Sequence, residues 1–593
     1  MTPRLVIYDA ATRAWLRFQQ PVQILTTSSV DDVLPLMQSI DQLVNEQGYF
    51  AAGFLSYEAA SGFDPALPTH PPGSFPVLWF GIFDRVERLT LPEPATVAGI
   101  DCQWVPSISR VEYERAFHQV KQYLGRGETY QINFTLRLKS HFHGNPWDWF
   151  LTLAQAQQAD YAAYVDLGPL VLCSASPELF FQLDGQQLIS RPMKGTAARA
   201  CTLAGDQAQA QWLFHSEKNR AENIMIVDMI RNDIGRVAHI GSVTVPKLFD
   251  IERYPTVWQM TSTVAATTDE PVWKILKALF PCASITGAPK ARSMKIIAEL
   301  ESAPRHIYTG SIGYLAPGRK AQFNVAIRTV VLDRRTGQAE FGVGGGIVWD
   351  SEQKDEYQEC QTKAKVLTSR WDDFQLFESL LWTPEDGYFL WSNHLSRLRD
   401  SAAYFGFVVD ESRLVAELEQ LARHLPRLAH KVKVSVSRRG ELSHECLALP
   451  VSPAPAMVTV RFARSPVQST DRFLYHKTTR RDVYTQALAP FPECDDVVLW
   501  NERGEVTEST RANVVIRING KLVTPPVSCG LLAGTFRNWL IEKGELTEQI
   551  ISLADFERAE TRFLINSVRK WQAVDLFDGS FQEDAVVPHR LSR

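Results

Sequence analysis

Three glutamates in this sequence are spaced as metal ligands could be. Glu356, Glu359 and Lys363 lie three and four residues apart, so a helix would place them on one face. Glu222 precedes an apolar stripe on a second predicted helix, where an unpaired carboxylate is costly. A few oxygen ligands with room for water suit magnesium. A solvated helix face with a Glu359 to Lys363 ion pair gives the same spacing, which by itself favours that interpretation.

A carboxylate and a lysine occupy consecutive strand-like segments. SPELFF contains Glu178 and RPMKGTAAR contains Lys194, so a hairpin would bring the two side chains together. A lysine in an apolar setting has a lowered pKa and can act as a nucleophile, while a carboxylate beside it can act as acid or base. A lysine at a strand end is more often only solvated, so this motif alone does not establish catalysis.

A second lysine and carboxylate occur near the carboxyl end of the chain. Lys477 ends a short apolar run, and Glu508 stands before a strand. Pyridoxal phosphate needs a lysine for its aldehyde and a carboxylate for its pyridine nitrogen. Gly534 and Thr535 open a predicted helix, whose free N–H groups would attract a phosphate. Taken singly, each feature is better explained by a loop lysine, a surface glutamate and a plain helix start.

The elements that must position these residues change character near residue 370. Strands and turns are predicted for residues 1–100, a helix for 111–125, several strands between 161 and 193, and helices for 218–232 and 286–302. From FQLFESLLW onward the pattern gives a strand, the turn TPEDG and a second strand, YFLWS. We therefore predict α+β layers and a domain boundary between residues 370 and 371.

Composition and charge exclude several functions. The 593 residues are 45% hydrophobic and 22% charged, which is typical of globular domains. A net charge of -5 without a long basic run argues against nucleic acid as a partner. The eight cysteines show no CxxC pair, so neither a zinc site nor a disulfide framework is indicated. Without a signal peptide or an apolar run of membrane length, we expect a cytoplasmic protein with no membrane association.

Nine motifs follow one another in the first 370 residues: GETYQINFT, SPELF, PMKGT, AENIMIVDMIRNDIGRV, SITGAPKARSMKII, YTGSIGY, AIRT, GVGGGIV and EYQECQTKA. In this order they resemble the motifs of the chorismate-utilising enzymes, a family that includes anthranilate, aminodeoxychorismate, isochorismate and salicylate synthases. In the PMKGT motif, members that aminate C4 of chorismate have lysine where anthranilate synthases have alanine. Lys194 therefore implies C4 amination, with Lys194 attacking C2 and Glu178 protonating the departing hydroxyl.

The same resemblance implies the ligands of metal and substrate. Glu222, Glu356 and Glu359 match magnesium ligands. Positions that bind the substrate are matched by Arg328, Tyr308, Thr286, Gly344, Gly345, Gly346 and Lys363. Asn219 departs from the acidic residue of many relatives, which weakens the case for a further metal contact. Since no glutaminase motif is recognisable, we expect a separate glutamine amidotransferase subunit to supply ammonia.

Residues 371–593 contain the segments FESLLW, HLSRLRDSA, HKTTRR, NERGEVTESTRANV, GLLAGTFR and FLINSVRKWQAV. Together these resemble the class IV pyridoxal-phosphate enzymes, a group that contains aminodeoxychorismate lyase, branched-chain aminotransferase and D-amino acid aminotransferase. The resemblance implies Lys477 as the Schiff-base lysine and Glu508 as the pyridine partner. The phosphate would be held by Arg397, Gly534 and Thr535, with Asn566 and Ser567 close by.

The expected fold is an α+β chorismate-binding domain over 1–370, with 1–100 as its amino-terminal portion, followed by an α/β D-amino acid aminotransferase-like domain over 371–593. Fusion favours a lyase that converts the synthase product to 4-aminobenzoate, a folate precursor, and pyruvate. An amino acid aminotransferase and a catalytically silent module remain alternatives. Arg438 is a candidate for binding a substrate carboxylate, LSYEAA (55–60) a candidate border of a ligand pocket, and a homodimer through the second domain a further expectation.

Overall fold

The chain divides into two units that differ in sheet architecture. The computed structural model describes residues 4–92, 103–368, 374–450 and 457–577. The first unit takes in the described residues up to Arg199 and those from Gln209 to 368, while Ala200–Ala208 join the second unit with the residues after 373. The predicted domain boundary, between residues 370 and 371, lies outside the described residues.

Two antiparallel sheets of ten strands each form the first unit. Strands of this unit are mostly buried on both sides, as expected for sheets covered by other layers. The first sheet runs in the order Gly287–Ala288, Gln131–His141, Gln338–Ile347, Thr329–Asp333, Leu170–Ser174, Ala163–Asp166, Arg4–Asp9, Ala14–Gln19 and Glu87–Leu89, with Val105–Pro106 beside Gln131–His141. The second runs Met193–Ala198, Val257–Thr267, Gln187–Arg191, Leu179–Asp184, Lys320–Asn324, Ser311–Ala316, Phe50–Leu55, Leu78–Phe83 and Gln23–Thr27, with Thr244–Arg253 beside Val257–Thr267.

The helices of the first unit follow the apolar periodicity of the sequence. They span Val33–Gln47, Ala60–Phe63, Arg110–Gly125, Pro146–Gln157, Glu217–Gly235, Val272–Leu279, Lys290–Leu300 and Gln353–Ala364, with 3-10 turns at Val30–Asp32, Tyr57–Ala59, Ala283–Ile285 and Lys365–Thr368. The helix Leu203–His215 belongs to the first unit only from Gln209 onward. The predicted helix 111–125 is confirmed and begins at a capping box between Ser109 and Glu112. The predicted helix 286–302 starts later, after Pro289.

The helix Glu217–Gly235 positions Glu222 because its apolar face packs into the largest core. Ile226, Ile230 and Ile234 are at most 3% exposed, and they pack with the strands of the second sheet. Burial of such side chains contributes roughly 1.5–3 kcal/mol each, before the cost of ordering them. The helix axis is thereby fixed, and Glu222 is held close to the strand Met193–Ala198, with which this helix is in contact.

The second unit contains a four-stranded antiparallel sheet and an eight-stranded mixed sheet. The smaller sheet has the order Gly387–Tyr388, Leu376–Thr383, His430–Val436 and Leu442–Ala448. The larger has the order Val506–Ser509, Asp496–Trp500, Val458–Phe462, Lys570–Leu576, Thr561–Asn566, Asn513–Ile518, Lys521–Thr524 and Thr547–Glu548. Parallel pairs join Val458–Phe462 to both of its neighbours.

Helices of the second unit cover these sheets. They span Trp391–Phe405, Glu411–His424, Asp482–Leu488, Thr535–Glu542 and Leu553–Arg558, with 3-10 turns at Arg472–Leu474 and Val527–Cys529. The predicted strand YFLWS is wrong beyond Tyr388, because Leu390 takes a left-handed backbone conformation and the helix begins at Trp391. None of the helices within the described ranges is both long and apolar enough to cross a membrane.

Candidate active sites

The first candidate site lies at the end of a hairpin, where Glu178 comes near Lys194. Glu178 directly precedes the strand Leu179–Asp184, which pairs with the strand Gln187–Arg191. Lys194 lies beyond this hairpin in the next strand, Met193–Ala198, which pairs with Val257–Thr267 and not with Leu179–Asp184. The predicted hairpin is therefore present without Lys194 in it, and the two side chains are still close enough for the lysine charge to act on the carboxyl group.

The Glu178 carboxyl group is poised to hold a proton. It is 3% exposed, and the Ser284 hydroxyl donates a hydrogen bond of 2.6 Å to its Oε1 atom. Burial raises the pKa of Glu178 to about 7, although the Ser284 hydrogen bond and the charge of Lys194 both oppose that rise. A carboxyl group with this pKa is partly protonated near neutral pH and can act as a general acid.

The Lys194 amine lies against a strand of glycines. A Cβ atom at Gly346 would stand 2.9 Å from the Lys194 Nζ atom and 2.3 Å from the Nε2 atom of Gln131. Only glycine therefore fits at this position without displacing the amine. Gly344 and Gly345 belong to the same strand, Gln338–Ile347.

Sequence reasoning missed Gln131, although it stands within a quoted motif. The residue is fully buried, and among the described residues neither its amide nitrogen nor its amide oxygen has a hydrogen-bond partner. A buried amide without partners is costly, so it is suited to meet a polar group of a ligand. The available signal was a polar residue at the start of an otherwise buried strand, Gln131–His141.

Three glutamates beside the glycine strand are close enough for their charges to affect one another. Burial and then the charge of Glu359 raise the pKa of Glu356, and burial raises that of Glu222. Attraction by Lys363 lowers the pKa of Glu359, and the Lys363 Nζ atom lies 2.6 Å from its Oε1 atom. The Glu359 to Lys363 ion pair considered from the spacing is present, and the lysine also donates to the Gly344 carbonyl at 2.8 Å.

These glutamates fit a cation by charge and by an unpaired oxygen. The Oε2 atom of Glu356 is buried and has no hydrogen-bond partner within the described ranges, whereas its Oε1 atom accepts from Ser351 at 2.6 Å. In the part of the chain that the structure describes, no three His, Cys, Asp or Glu side chains are clustered tightly enough to form a metal site. The magnesium site stays a prediction.

The residues that were predicted to bind the substrate differ in the contacts that they make within the protein. Arg328 donates to the Gln157 side chain at 2.9 Å, burial lowers its pKa, and no carboxylate of the described residues pairs with it. Burial raises the pKa of Tyr308 to about 12, and its ring packs on Gly342. The Thr286 hydroxyl lies 3.3 Å from the Ala283 carbonyl of its own turn, so its binding role stays a prediction.

The second candidate site is a cavity of about 540 Å³ in the second unit. The seven residues predicted for cofactor binding all line it: Arg397, Lys477, Glu508, Gly534, Thr535, Asn566 and Ser567. They come from segments spread over 170 residues, so the fold itself gathers them. A cavity of this size is in the usual range for a cofactor with a small substrate.

Burial shifts the pKa values of both Lys477 and Glu508 toward neutrality. Burial, and then the charge of Arg397, lower the pKa of Lys477 to about 7, so a neutral amine is accessible. Burial raises the pKa of Glu508 to about 7 in the ligand-free protein. The Tyr484 hydroxyl donates to Glu508 Oε1 at 2.8 Å and favours its charged form. A pyridinium nitrogen would favour it further.

Arg397 is held in place by Glu378, whose carboxylate is also in contact with His394; neither residue was identified as part of the site from the sequence. Its Nε and Nη2 atoms donate to Glu378 at 2.9 and 2.6 Å, and His394 Nδ1 lies 2.7 Å from the same carboxylate. Burial would raise the pKa of Glu378, but the charges of Arg397 and His394 outweigh it and lower the pKa to about 2. His394 Nε2 lies 3.1 Å from Thr535 Oγ1, which links both halves of the cradle.

Asn566 shapes the edge of this cavity. Its Oδ1 atom accepts the backbone N–H groups of Val568 and Arg569 in the turn beside the cavity.

Arg438, which was predicted as a candidate for binding a substrate carboxylate, does not line the cavity. Its guanidinium donates to the Phe405 carbonyl and lies 4.7 Å from the centroid of the Phe407 ring, so aromatic packing holds it elsewhere.

Comparison with known proteins identifies the family. Residues 4–369 match the profile of chorismate binding enzymes, and residues 375–577 match that of class IV amino-transferases. Aminodeoxychorismate synthase component 1 of Salmonella typhimurium is 44% identical over 266 residues, covering 44% of this chain and 58% of that protein. The Escherichia coli protein of the same name gives the same values. The chain thus spans little more than half the length of these relatives.

A solved structure agrees on the fold of the first unit. Anthranilate synthase component I from Streptococcus pneumoniae aligns with a TM-score of 0.50 at 23% identity, over 62% of this chain and 90% of that one. This chain belongs to the chorismate binding enzyme family, and a class IV aminotransferase-like domain follows. The predicted family and fold classes are confirmed.

Proposed function

We propose that the chain makes 4-aminobenzoate from chorismate in two steps. The first unit aminates chorismate at C4 to give 4-amino-4-deoxychorismate, and the second eliminates pyruvate from that product. The observation that carries the first step is the Lys194 amine, which lies on Gly346 and beside the buried Glu178 acid. The curated relatives named aminodeoxychorismate synthase support the same reaction.

In the first step the residues act as nucleophile and acid. Lys194 Nζ bonds to C2 of chorismate, the ring double bonds shift, and the C4 hydroxyl leaves as water with the proton of Glu178. Ammonia then bonds to C4, the electrons shift back, and the lysine leaves C2 as a neutral amine. Glu178 regains a proton from the new ammonium group. The unpaired Arg328 guanidinium suits a substrate carboxylate.

Magnesium and a nitrogen source complete the first site. Glu222, Glu356 and Glu359 would hold the magnesium ion, and the unpartnered Oε2 atom of Glu356 supports that assignment. Bound magnesium would neutralise charge on the ring carboxylate of the substrate. Ammonia would come from a separate glutamine amidotransferase subunit.

In the second step the cofactor pocket removes one proton. Pyridoxal phosphate, when bound, would supply an electron sink for the substrate amine. Lys477, whose pKa is lowered to about 7, takes the proton from C4 of the substrate. The C3–O bond breaks as the ring becomes aromatic, and the enolpyruvyl group leaves and gains a proton to become pyruvate. Glu508 would stabilise a protonated pyridine nitrogen, while Arg397 and the start of the helix Thr535–Glu542 would hold the phosphate.

The full chain tests both steps. With chorismate, magnesium, ammonia and pyridoxal phosphate, we expect 4-aminobenzoate and pyruvate in equal amounts. Lys194→Ala should abolish amination, whereas Lys477→Ala should accumulate 4-amino-4-deoxychorismate. Lys247→Ala serves as a control because Lys247 is exposed and, among the described residues, forms an ion pair with Asp250 alone, at 3.2 Å.

Each alternative has its own outcome in this experiment. Anthranilate as product, or full activity of the Lys194→Ala chain, would contradict C4 amination through a covalent lysine. Transfer of amino groups to 2-oxo acids without pyruvate release would indicate an aminotransferase in the second unit. Failure to bind pyridoxal phosphate, seen as no cofactor absorbance after dialysis, would indicate a silent module.

A further inference from the structure

Arg305 is a buried arginine close to the first candidate site. Its side chain is 2% exposed, and the guanidinium carbon lies 4.6 Å from the centroid of the Tyr57 ring. Glu301 balances the charge, because its Oε1 and Oε2 atoms accept from Nη2 and Nε of Arg305 at 2.7 and 3.0 Å. Glu301 is itself fixed by the Thr135 backbone N–H group, which donates to Oε1 at 3.0 Å. A buried ion pair alone is weak evidence for a stabilising role, so the other contacts of Arg305 are the informative ones.

The remaining donors of Arg305 reach two backbone carbonyl groups. Nη2 donates to the Asn133 carbonyl at 2.7 Å, and Nη1 donates to the Ile285 carbonyl at 3.0 Å. Asn133 lies on the strand Gln131–His141, while Ile285 ends the 3-10 turn Ala283–Ile285. The planar fork of a guanidinium can face a carboxylate and two carbonyl groups at once, which the single nitrogen of a lysine cannot do. The side chain therefore joins a strand to a turn.

The strand pairing beside this turn is short. The strand Gly287–Ala288 pairs with the strand Gln131–His141 through two residues, and the Asn133 N–H group then donates to the Thr286 carbonyl at 2.8 Å. The carbonyl group of Asn133 is taken up by Arg305 instead of by a further strand residue. The guanidinium thus continues the joint where the strand pairing ends.

The turn Ala283–Ile285 carries the hydrogen-bond donor of the proposed acid. Ser284 stands directly before Ile285, and its hydroxyl donates to Glu178 Oε1 at 2.6 Å. Because the two residues are neighbours, a shift of the Ile285 backbone moves Ser284 with it. A hydrogen bond weakens steeply once its angle departs from the favoured range. The position of the turn therefore decides how strongly Ser284 binds the carboxyl group.

We propose that Arg305 is a positioning residue that holds the Ser284 hydroxyl against the Glu178 carboxyl group. The inference rests on the proposed function for its effect on amination, whereas its effect on the protonation of Glu178 does not depend on that function. When Arg305 no longer holds the turn, the Ser284 hydrogen bond weakens and favours the charged carboxylate less. The midpoint of the Glu178 titration then rises.

An infrared titration of the full chain with Arg305→Lys tests the proposal. The lysine keeps the charge opposite Glu301 but cannot also reach both carbonyl groups. We follow the carboxyl stretch that is absent from a Glu178→Gln chain. Its midpoint should rise by roughly 0.5–1 pH unit, which is part of the shift expected when the whole hydrogen bond is lost. The alkaline limit of amination should rise by the same amount, whereas a loss of folded protein would lower the rate without moving that limit.

A second substitution separates an action through Ser284 from a direct effect of charge. Arg305→Lys added to a Ser284→Ala chain should leave the midpoint where Ser284→Ala alone puts it, because the bond on which Arg305 acts is already gone. An equal shift in both backgrounds, or no shift in either, would overturn the proposal. Full amination by the Glu178→Gln chain would instead refute the proposed acid role and would leave the titration result standing.

Two further chains complete the experiment. Arg305→Met combined with Glu301→Leu removes both charges of the buried pair, a change that proteins often tolerate, and should raise the midpoint even if Arg305→Lys fails to fold. Arg537→Lys is the matched control, since Arg537 is 1% exposed, pairs with Glu548 and donates to the Pro525 carbonyl at 2.7 Å. It should leave the titration and the alkaline limit of amination unchanged.

Discussion

Replacing Ser284 by alanine should raise the pKa of the buried Glu178 carboxyl group. The Ser284 hydroxyl donates to Glu178 Oε1 at 2.6 Å, and this bond favours the charged form of the carboxyl group. A hydrogen bond to a charged group contributes about 1.5–3 kcal/mol. One pKa unit corresponds to about 1.4 kcal/mol, so the change is about one to two units. The pKa of Glu178 is about 7 now, and the variant should titrate about one to two units higher.

Difference infrared spectroscopy can measure that shift without catalysis. The carboxyl stretch that disappears as pH rises is assigned to Glu178 by its loss in a Glu178→Gln chain. Ser311→Ala is the matched control, because Ser311 is fully buried and its hydroxyl donates to the Asn324 carbonyl at 2.6 Å. It should leave the titration of Glu178 unchanged.

The reasoning is refuted if Ser284→Ala leaves the midpoint of the Glu178 titration unchanged or lowers it. An unchanged midpoint would mean that burial alone sets the pKa of Glu178. If the midpoint moves as expected, the alkaline limit of the amination rate should move with it. The sign follows from the acid role, since the protonated form acts and a higher pKa keeps Glu178 protonated at higher pH.

Two other substitutions test the geometry of the sites. Gly346→Ala should reduce amination at least tenfold, because the added Cβ atom would stand 2.9 Å from Lys194 Nζ; Gly235→Ala, where no atom lies within 4 Å of the added carbon, should retain the rate. Tyr484→Phe removes the 2.8 Å hydrogen bond to Glu508 and should weaken pyridoxal phosphate binding by about tenfold in a fluorescence titration, since the charged carboxylate loses about 1.5 kcal/mol of stabilisation. Unchanged cofactor affinity would show that Tyr484 does not support the pyridine partner.

Residues within short motifs were predictable from the sequence. Glu178 and Lys194 lie 16 residues apart, just before and just after a hairpin, and the pairing of the Lys194 strand with Val257–Thr267 completes their approach. Lys477 and Glu508 were placed by matching motifs, and the structure brings them to one cavity. In each case the chemistry requires a particular residue type, so the sequence carries a direct signal.

Supporting contacts that only the folded chain creates could not be found this way. Glu378 fixes Arg397 across 19 residues, and nothing in the local pattern distinguishes it from an ordinary strand glutamate. Gln131 and Gly346 meet through pairing of two strands that are more than 200 residues apart. Arg438 was misjudged for the opposite reason, because its motif does not reveal the aromatic rings that hold it.

Each unit contains a buried carboxyl group that accepts a hydrogen bond from one hydroxyl group. Glu178 and Glu508 each have a pKa raised to about 7 by burial, and in each case one hydroxyl group opposes that rise.

Their proposed tasks require opposite protonation states. An acid must be protonated to act, so the contribution of Glu178 falls as pH rises through about 7. A pyridine partner must be charged, so the contribution of Glu508 grows over the same range until a bound cation lowers its pKa. The neutral form of Lys477 also increases above about pH 7. The two proposed steps therefore overlap only over a narrow pH range near 7. A bound cofactor with a protonated pyridine nitrogen would lower the pKa of Glu508 and so extend this range to lower pH.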